Sequence, residues 1–295
     1  MDALVTGLVL VGGGTAALAL ATHSARDLAS WLRHAFRRPL PGEAGRCARA
    51  FWASASRNAV LLGALGAAFG LAAFLGSGRG PSALAEQLGV QVLGPPILGL
   101  VAATLCALPA GRRAAPSVEA EPPPASRALG RWPRVETALG YAAFLVLLAV
   151  VFPASGAEPS LRPVDLLLHG PAWLTVAAGA VVVALYLGEP GRGRSLTLGL
   201  AAAGGTGALL GLLQAFHGMA VVKIETVAGG LVFSLSAAVA ALVGLGAVGF
   251  PIEDRAVARE EAEPSRLVGW GAALAALLLV AIACVMVMTP MTAPR

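Results

Sequence analysis

Hydrophobic residues fall along this chain in long continuous runs, not in the two-residue alternation of a half-buried strand. The runs recur at lengths near the roughly 20 residues that carry a helix across hydrocarbon. Eight spans are read this way, at about 4–22, 58–75, 88–110, 137–153, 165–187, 196–216, 226–250 and 267–289. The pattern predicts an all-α fold, a polytopic transmembrane helical bundle. Spans 1–3 and 5–7 form two parallel three-helix modules. Span 4 is the linker helix that such a repeat requires, and span 8 is a C-terminal addition. The divisions are 1–110 for the first membrane module and 111–134 for a cytoplasmic linker rich in proline and arginine. The second membrane module covers 135–255, and the C-terminal span and tail cover 256–295.

Within the apolar runs, glycine is patterned. Gly63, Gly66 and Gly70 stand three and four residues apart, and Gly204, Gly207 and Gly211 repeat that spacing 141 residues later. At 3.6 residues per turn each trio lies on one helix face, where missing side chains let a neighbouring backbone come close. Each trio is followed by a polar loop and then a second apolar helix. That second helix stops at a proline and charge, Leu108-Pro109 before Arg112 and Phe250-Pro251 before Glu253 and Asp254. The expectation is a duplicated helix hairpin.

Composition sharpens the picture. The chain is 57% hydrophobic and 13% charged, where a soluble domain carries roughly a quarter charged residues. Basic residues here report orientation, not affinity for nucleic acid. Segments 23–57, 111–134, 188–195 and 251–266 hold seventeen of the arginines, whereas the opposite side has Arg79, Arg162, Lys223 and Arg295. The split predicts an outside N-terminus. Asp2 stands where a signal peptide would place a basic residue, so span 1 reads as a span and not as a cleaved leader. Cys47, Cys106 and Cys284 show no pairing or metal-ligand spacing and read as small apolar fillers.

Candidates for chemistry are sparse. Gly12-Gly13-Gly14-Thr15-Ala16-Ala17 has the form of a dinucleotide fingerprint. No acidic residue stands about 20 positions on, and no strand–helix series follows, so helix packing is the competing reading. His169 lies four residues after Asp165, either as an interfacial cap or as a metal or proton site. Leu28, Trp31, Leu32 and Phe36 recur at helical spacing among Arg33, Arg37 and Arg38. This helix either lies on the cytoplasmic leaflet or extends span 1 against its neighbours. Pro95-Pro96, preceded by Gly94, either kinks span 3 or turns carbonyls toward a pathway. No charged residue falls at the centre of any span as drawn, where pumps and coupled transporters usually place one. The polar groups within spans are Gln91, Thr104, Thr175, Thr206, Gln214, Ser234 and Ser236. Of these, Gln91, Thr104, Thr206, Gln214, Ser234 and Ser236 are the pore-lining or packing candidates. The two glutamines are costly in lipid and are expected to face protein or water. No cluster suited to catalysis, metal or cofactor binding stands out, and an enzyme is not expected.

The hairpins resemble the MotA/TolQ/ExbB proton-channel family. Leu62-Gly63-Ala64-Leu65-Gly66-Ala67-Ala68-Phe69-Gly70-Leu71 and Gly204-Gly205-Thr206-Gly207-Ala208-Leu209-Leu210-Gly211-Leu212 look like its glycine-rich helix. Leu98-Gly99-Leu100 through Leu108-Pro109, and Ser234-Leu235-Ser236 through Phe250-Pro251, look like the helix that follows. The segment Leu161 to Leu174 looks like the start of MotA-type stators, whereas the first module looks like the three-span TolQ/ExbB arrangement. The family's polar pair would fall near Pro95-Pro96 in the first module and near Ser236-Ala237 in the second. Only the second glycine helix keeps a threonine, Thr206. The resemblance implies a bacterial inner-membrane channel or scaffold subunit that forms a homo-oligomer. It would act with a single-span MotB/ExbD/TolR-like partner that supplies the membrane carboxylate this chain lacks. The alternative is a small-solute transporter of parallel three-helix repeats, with a cavity lined by Gln91, Pro95, Thr104 and Gln214.

Overall fold

The computed structural model describes residues 3–35, 42–75, 92–110, 134–151, 163–187, 192–221 and 224–252. Span 8, Cys284, Gln91 and the linker 111–133 lie outside them. The described residues are almost wholly helical, with no strand among them. Helix α1 covers 3–22, as Ala3–Leu8, a π-helical turn Val9–Gly13 and Gly14–Thr22. Then follow α2 (Ala25–Ala35), α3 (Gly42–Leu75), α4 (Gly94–Ala110), α5 (Arg134–Val151), α6 (Pro163–Leu167), α7 (Gly170–Leu187) and α8 (Arg192–Ala220). The last, α9, covers Ile224–Gly244 and continues through a π-helical turn, Leu245–Gly249, to residue 252.

Among the described residues, five helical segments are long and apolar enough to cross a membrane: Val5–Thr22, Cys47–Ala73, Asp165–Leu185, Ser195–Ala220 and Glu225–Ile252. Gly94–Pro109 and Val135–Leu148 are shorter apolar helices. This is the architecture of a multi-pass membrane protein. Its perimeter agrees, since α5 exposes Leu139, Leu145 and Val146, and α7 exposes Leu174, Val182 and Leu185. Lipid is a suitable solvent for such faces.

Contacts fix the directions of the helices. Gly14 meets Leu62 and Gly66 meets Leu10, so α1 and α3 are antiparallel; Gly13 meets Leu147 and Gly140 meets Ala17 and Ala21, so α1 and α5 are too. The direction alternates along the chain, as serial crossings of one layer require. The tightest pairings are the two glycine hairpins, α3 with α4 and α8 with α9; α7 packs on α8, and α1 packs on α5, α3 and α4. One buried apolar core runs through both hairpins, from Leu10, Leu61, Leu62 and Phe69 to Val176, Ala237, Leu245 and Phe250.

One expectation changes here. Span 2 was drawn from residue 58, at the edge of the charge-free run. The helix continues unbroken from Gly42, and its apolar window opens at Cys47, so Arg57 and Asn58 sit inside it. The glycine run at 12–14 lies in the π-turn and following helix of α1, where Gly14 abuts Leu62 and Gly13 abuts Leu147. That is helix packing. A dinucleotide site needs a strand entering a tight turn, and neither is present there.

α2 belongs to the packed reading. Ser24 caps its start, accepting from the Asp27 amide at 3.2 Å while its hydroxyl donates to the Asp27 carboxylate at 2.7 Å. Leu28 and Ala35 are buried with Phe51, Trp52 and Ala55, and Trp31 packs on the same group. His23 is held edge-on between Trp31 and Phe51, at 5.2 and 5.4 Å between ring centres. Leu32, Arg26 and Asp27 remain on the exposed side.

Candidate functional site

The glycines define both hairpins at atomic level. A methyl on Gly63 would stand 2.9 Å from the Pro95 carbonyl oxygen and 3.1 Å from Gly99, and one on Gly66 would stand 2.6 Å from the Pro95 ring. In the second hairpin, a methyl on Gly211 would stand 2.5 Å from the Ser234 amide and 2.6 Å from the Gly230 carbonyl. One on Gly207 would stand 2.9 Å from Ala237, and Gly204 faces Ala241. Gly63 and Gly211 meet backbone, whereas Gly66, Gly204 and Gly207 meet the side chains of Pro95, Ala241 and Ala237. Gly70 lies half-buried toward the C-terminal end of α3. Gly63 and Gly66 in the first hairpin, and Gly204, Gly207 and Gly211 in the second, therefore face the helix that follows theirs in the chain.

The first hairpin explains Pro95-Pro96. Both prolines fall in the first turn of Gly94–Ala110, directly after π-helical residues at 92–93. Missing amide donors cost least there. The Pro95 carbonyl is turned into the Gly63 contact and does not line a pathway. Lower down, Ser56 donates to the Ala103 carbonyl at 2.9 Å and ties α3 to α4.

The polar candidates separate into two groups. Ser234 and Ser236 are buried between the helices; Ser234 donates across the hairpin to the Ala208 carbonyl at 2.8 Å, and Ser236 is fully enclosed with its hydroxyl unbonded. Thr206 and Gln214 stand on the exposed side of α8, and Thr206 bonds back to Ala202 at 2.9 Å. Thr104 is exposed on α4 and bonds back to Leu100 at 2.8 Å. Thr104 and Gln214 thus stand on exposed helix faces, whereas Pro95 is buried against Gly63 and Gly66. Thr175 likewise bonds its own helix at Pro171.

The exposed side of α8 is unusual for a lipid-facing surface. Thr206, Gln214 and His217 share it with Leu209, Leu210, Leu213 and Phe216. At helical spacing Thr206, Leu210, Leu213 and His217 form one stripe, flanked by Gln214. An amide facing hydrocarbon is expensive.

A second constellation was not foreseen. α9 packs on α3, and this contact is the seam between the hairpins. Arg57, 8% exposed, lays its guanidinium over the Phe250 ring at 4.1 Å. Leu61 abuts Gly246, and Tyr141 donates to the Ala247 carbonyl at 2.8 Å. That carbonyl lies within the π-helical turn, whose widened ladder leaves acceptors for outside donors. Asn58, Ser54, Ser195 and Thr197 are buried too, and Gly249 lets Thr197 approach. The sequence signal was Arg57-Asn58 immediately before an apolar run. It was assigned to the loop because charge was used to draw the boundary.

α6 and α7 form a corner. Trp173 donates to the Leu167 carbonyl at 2.5 Å, the His169 carbonyl accepts from the amides of Ala172 and Trp173, and the His169 ring meets Phe233 edge-on at 5.9 Å. Asp165 is exposed, and no three His, Cys, Asp or Glu side chains converge among the described residues. Cys47 and Cys106 are each half-buried. Set against known proteins, the chain matches no family model, no curated protein and no solved structure.

Proposed function

We propose that the chain is a membrane channel or scaffold subunit of the kind the MotA/TolQ/ExbB resemblance implies. In this reading it has eight spans in two parallel three-helix modules, sits in a bacterial inner membrane and does no enzymatic chemistry. The observation that supports it best is the matching construction of the hairpins. In each, spaced glycines on one helix let the helix that follows pack closely, Gly63 and Gly66 in the first and Gly204, Gly207 and Gly211 in the second. A duplicated close-packed hairpin provides a rigid wall, and the exposed stripe of α8 gives that wall a polar-bearing face. A single-span partner with a membrane carboxylate would seat against Thr206 and Gln214, which satisfies the amide that lipid would strand. Isolation of the tagged chain from its native membrane in mild detergent tests this. The expected result is a co-purifying single-span protein with an acidic residue in its apolar segment, lost when Gln214 and Thr206 are both replaced by leucine. Absence of any such protein, together with no proton leak from vesicles containing the chain, would overturn the reading.

A further inference from the structure

We infer that Arg57 and Asn58 form a binding site for a small oxyanion that keeps a proton, of the class of dihydrogen phosphate or bicarbonate. Four helices build the site, and their contacts fix its layer. Leu18 of α1 and Leu61 of α3 meet at Gly246 of α9. One helical turn further, at the same end of all three helices, stand Thr22, Arg57 and Phe250. The fourth helix, α5, joins through Gly140, which packs on Ala21, and through Tyr141, which donates to the Ala247 carbonyl. Thr22, Ser54 and Asn58 are buried with Arg57 in this layer, within the apolar windows of α1 and α3. Charged groups in such windows are rare, and they mark ligand and ion sites.

Two features specify the ligand. Phe250 covers one face of the guanidinium, 4.1 Å from its ring centre. Guanidinium N–H donors radiate in the plane of the group, so a ring over its face leaves the geometry for a two-pronged oxyanion contact intact. Asn58 supplies the second feature. It is 4% exposed, and its Oδ1 is enclosed and accepts no hydrogen bond. A buried acceptor left without a donor is destabilising. Chloride and nitrate bring no donor, and lipid phosphodiesters carry no such proton. An oxyanion with an O–H meets both demands: its ionised oxygens accept from Arg57, and its hydroxyl donates to Asn58 Oδ1. Thr22, Ser54, Asn58 and Tyr141 add polarity without charge, so these side chains and Arg57 together carry one positive charge, which suits a monoanion. The layer lies apart from the exposed Thr206 and Gln214 face of α8, so an anion here and a single-span partner there do not compete.

The test uses the full-length chain in one mild detergent, at neutral pH and constant ionic strength. Thermal unfolding is followed with phosphate, bicarbonate, sulfate or chloride. Phosphate and bicarbonate are expected to raise the midpoint with the logarithmic concentration dependence of one-site binding. Sulfate carries no proton at this pH and controls for general strengthening of burial by excluded salts; it and chloride are expected to lack that dependence. Equilibrium dialysis with radiolabelled phosphate is expected to find one ion per chain. Asn58→Leu removes the acceptor and is expected to weaken phosphate binding about tenfold or more, the loss of one hydrogen bond to a charged group. Asn58→Asp places a carboxylate beside Arg57 and is expected to abolish phosphate binding. An equal response to sulfate or chloride overturns the inference, as does unchanged phosphate affinity in either folded variant. If neither variant folds, the comparison of anions on the unaltered chain decides alone.

Discussion

At the level of single residues, the hairpins put opposite demands on neighbouring glycines. A methyl on Gly211 would collide with the backbone of α9, whereas Gly205 has nothing within 4 Å of where its methyl would stand. Gly211→Ala is expected to destabilise the protein by about 1–3 kcal/mol, the usual cost of overpacking. Gly205→Ala is expected to stabilise it by up to about 1 kcal/mol, the intrinsic helix preference of alanine. Thermal unfolding in one detergent, run side by side, checks both signs. The hydroxyls divide in the same way. Ser234→Ala removes a bond between helices and is expected to cost about 0.6–1.7 kcal/mol, the range for interhelical bonds in membranes. Thr206→Ala removes only a bond within α8 and is expected to leave the stability of the isolated chain unchanged, which the same unfolding measurement checks.

At the level of elements, the π-helical turn of α9 depends on α5. Tyr141→Phe keeps the ring but removes the donor to the Ala247 carbonyl, at a cost of about 1 kcal/mol. Hydrogen exchange should then quicken in 245–252 and stay unchanged in 204–218; equal exchange in both segments would show that the bond does not hold the turn. This element also marks where the sequence stopped being readable. Span positions, helix content and the glycine trios follow from periodicity and small-residue spacing, and the structure places Gly63, Gly66, Gly204, Gly207 and Gly211 in those contacts. A π-turn has no such periodic signal, because one extra residue per turn leaves the apolar composition unchanged. The span containing Arg57 was misjudged for a related reason. A guanidinium over an aromatic ring is tolerated inside an apolar window, and Phe250 lies nearly two hundred residues away in the chain. The polar candidates were identified by type, but which faced outward depended on helix rotation. Gln214 and Ser234 show how far that divides one list.

For the whole molecule, arginine asymmetry predicts orientation and the contacts add alternation. In a chain lacking its own cysteines, Val221→Cys at the end of α8 should react with a membrane-impermeant maleimide on intact cells. Arg26→Cys at the start of α2 should react only after permeabilisation. The reverse pattern would invert the topology. The seam carries a further consequence, in the order of events during synthesis. Each hairpin joins helices that are near neighbours in sequence, so its loop closes cheaply and early. The seam joins α3 to α9 and must wait for almost every described helix to enter the bilayer. Until then Arg57 lacks the Phe250 ring that later covers its charge. A chain cut short before residue 250 would therefore carry a completed first hairpin with a guanidinium inside its apolar window that α9 does not cover. Such a feature distinguishes finished from unfinished copies, and quality-control proteases that sense charge in membrane helices would have a reason to remove the latter.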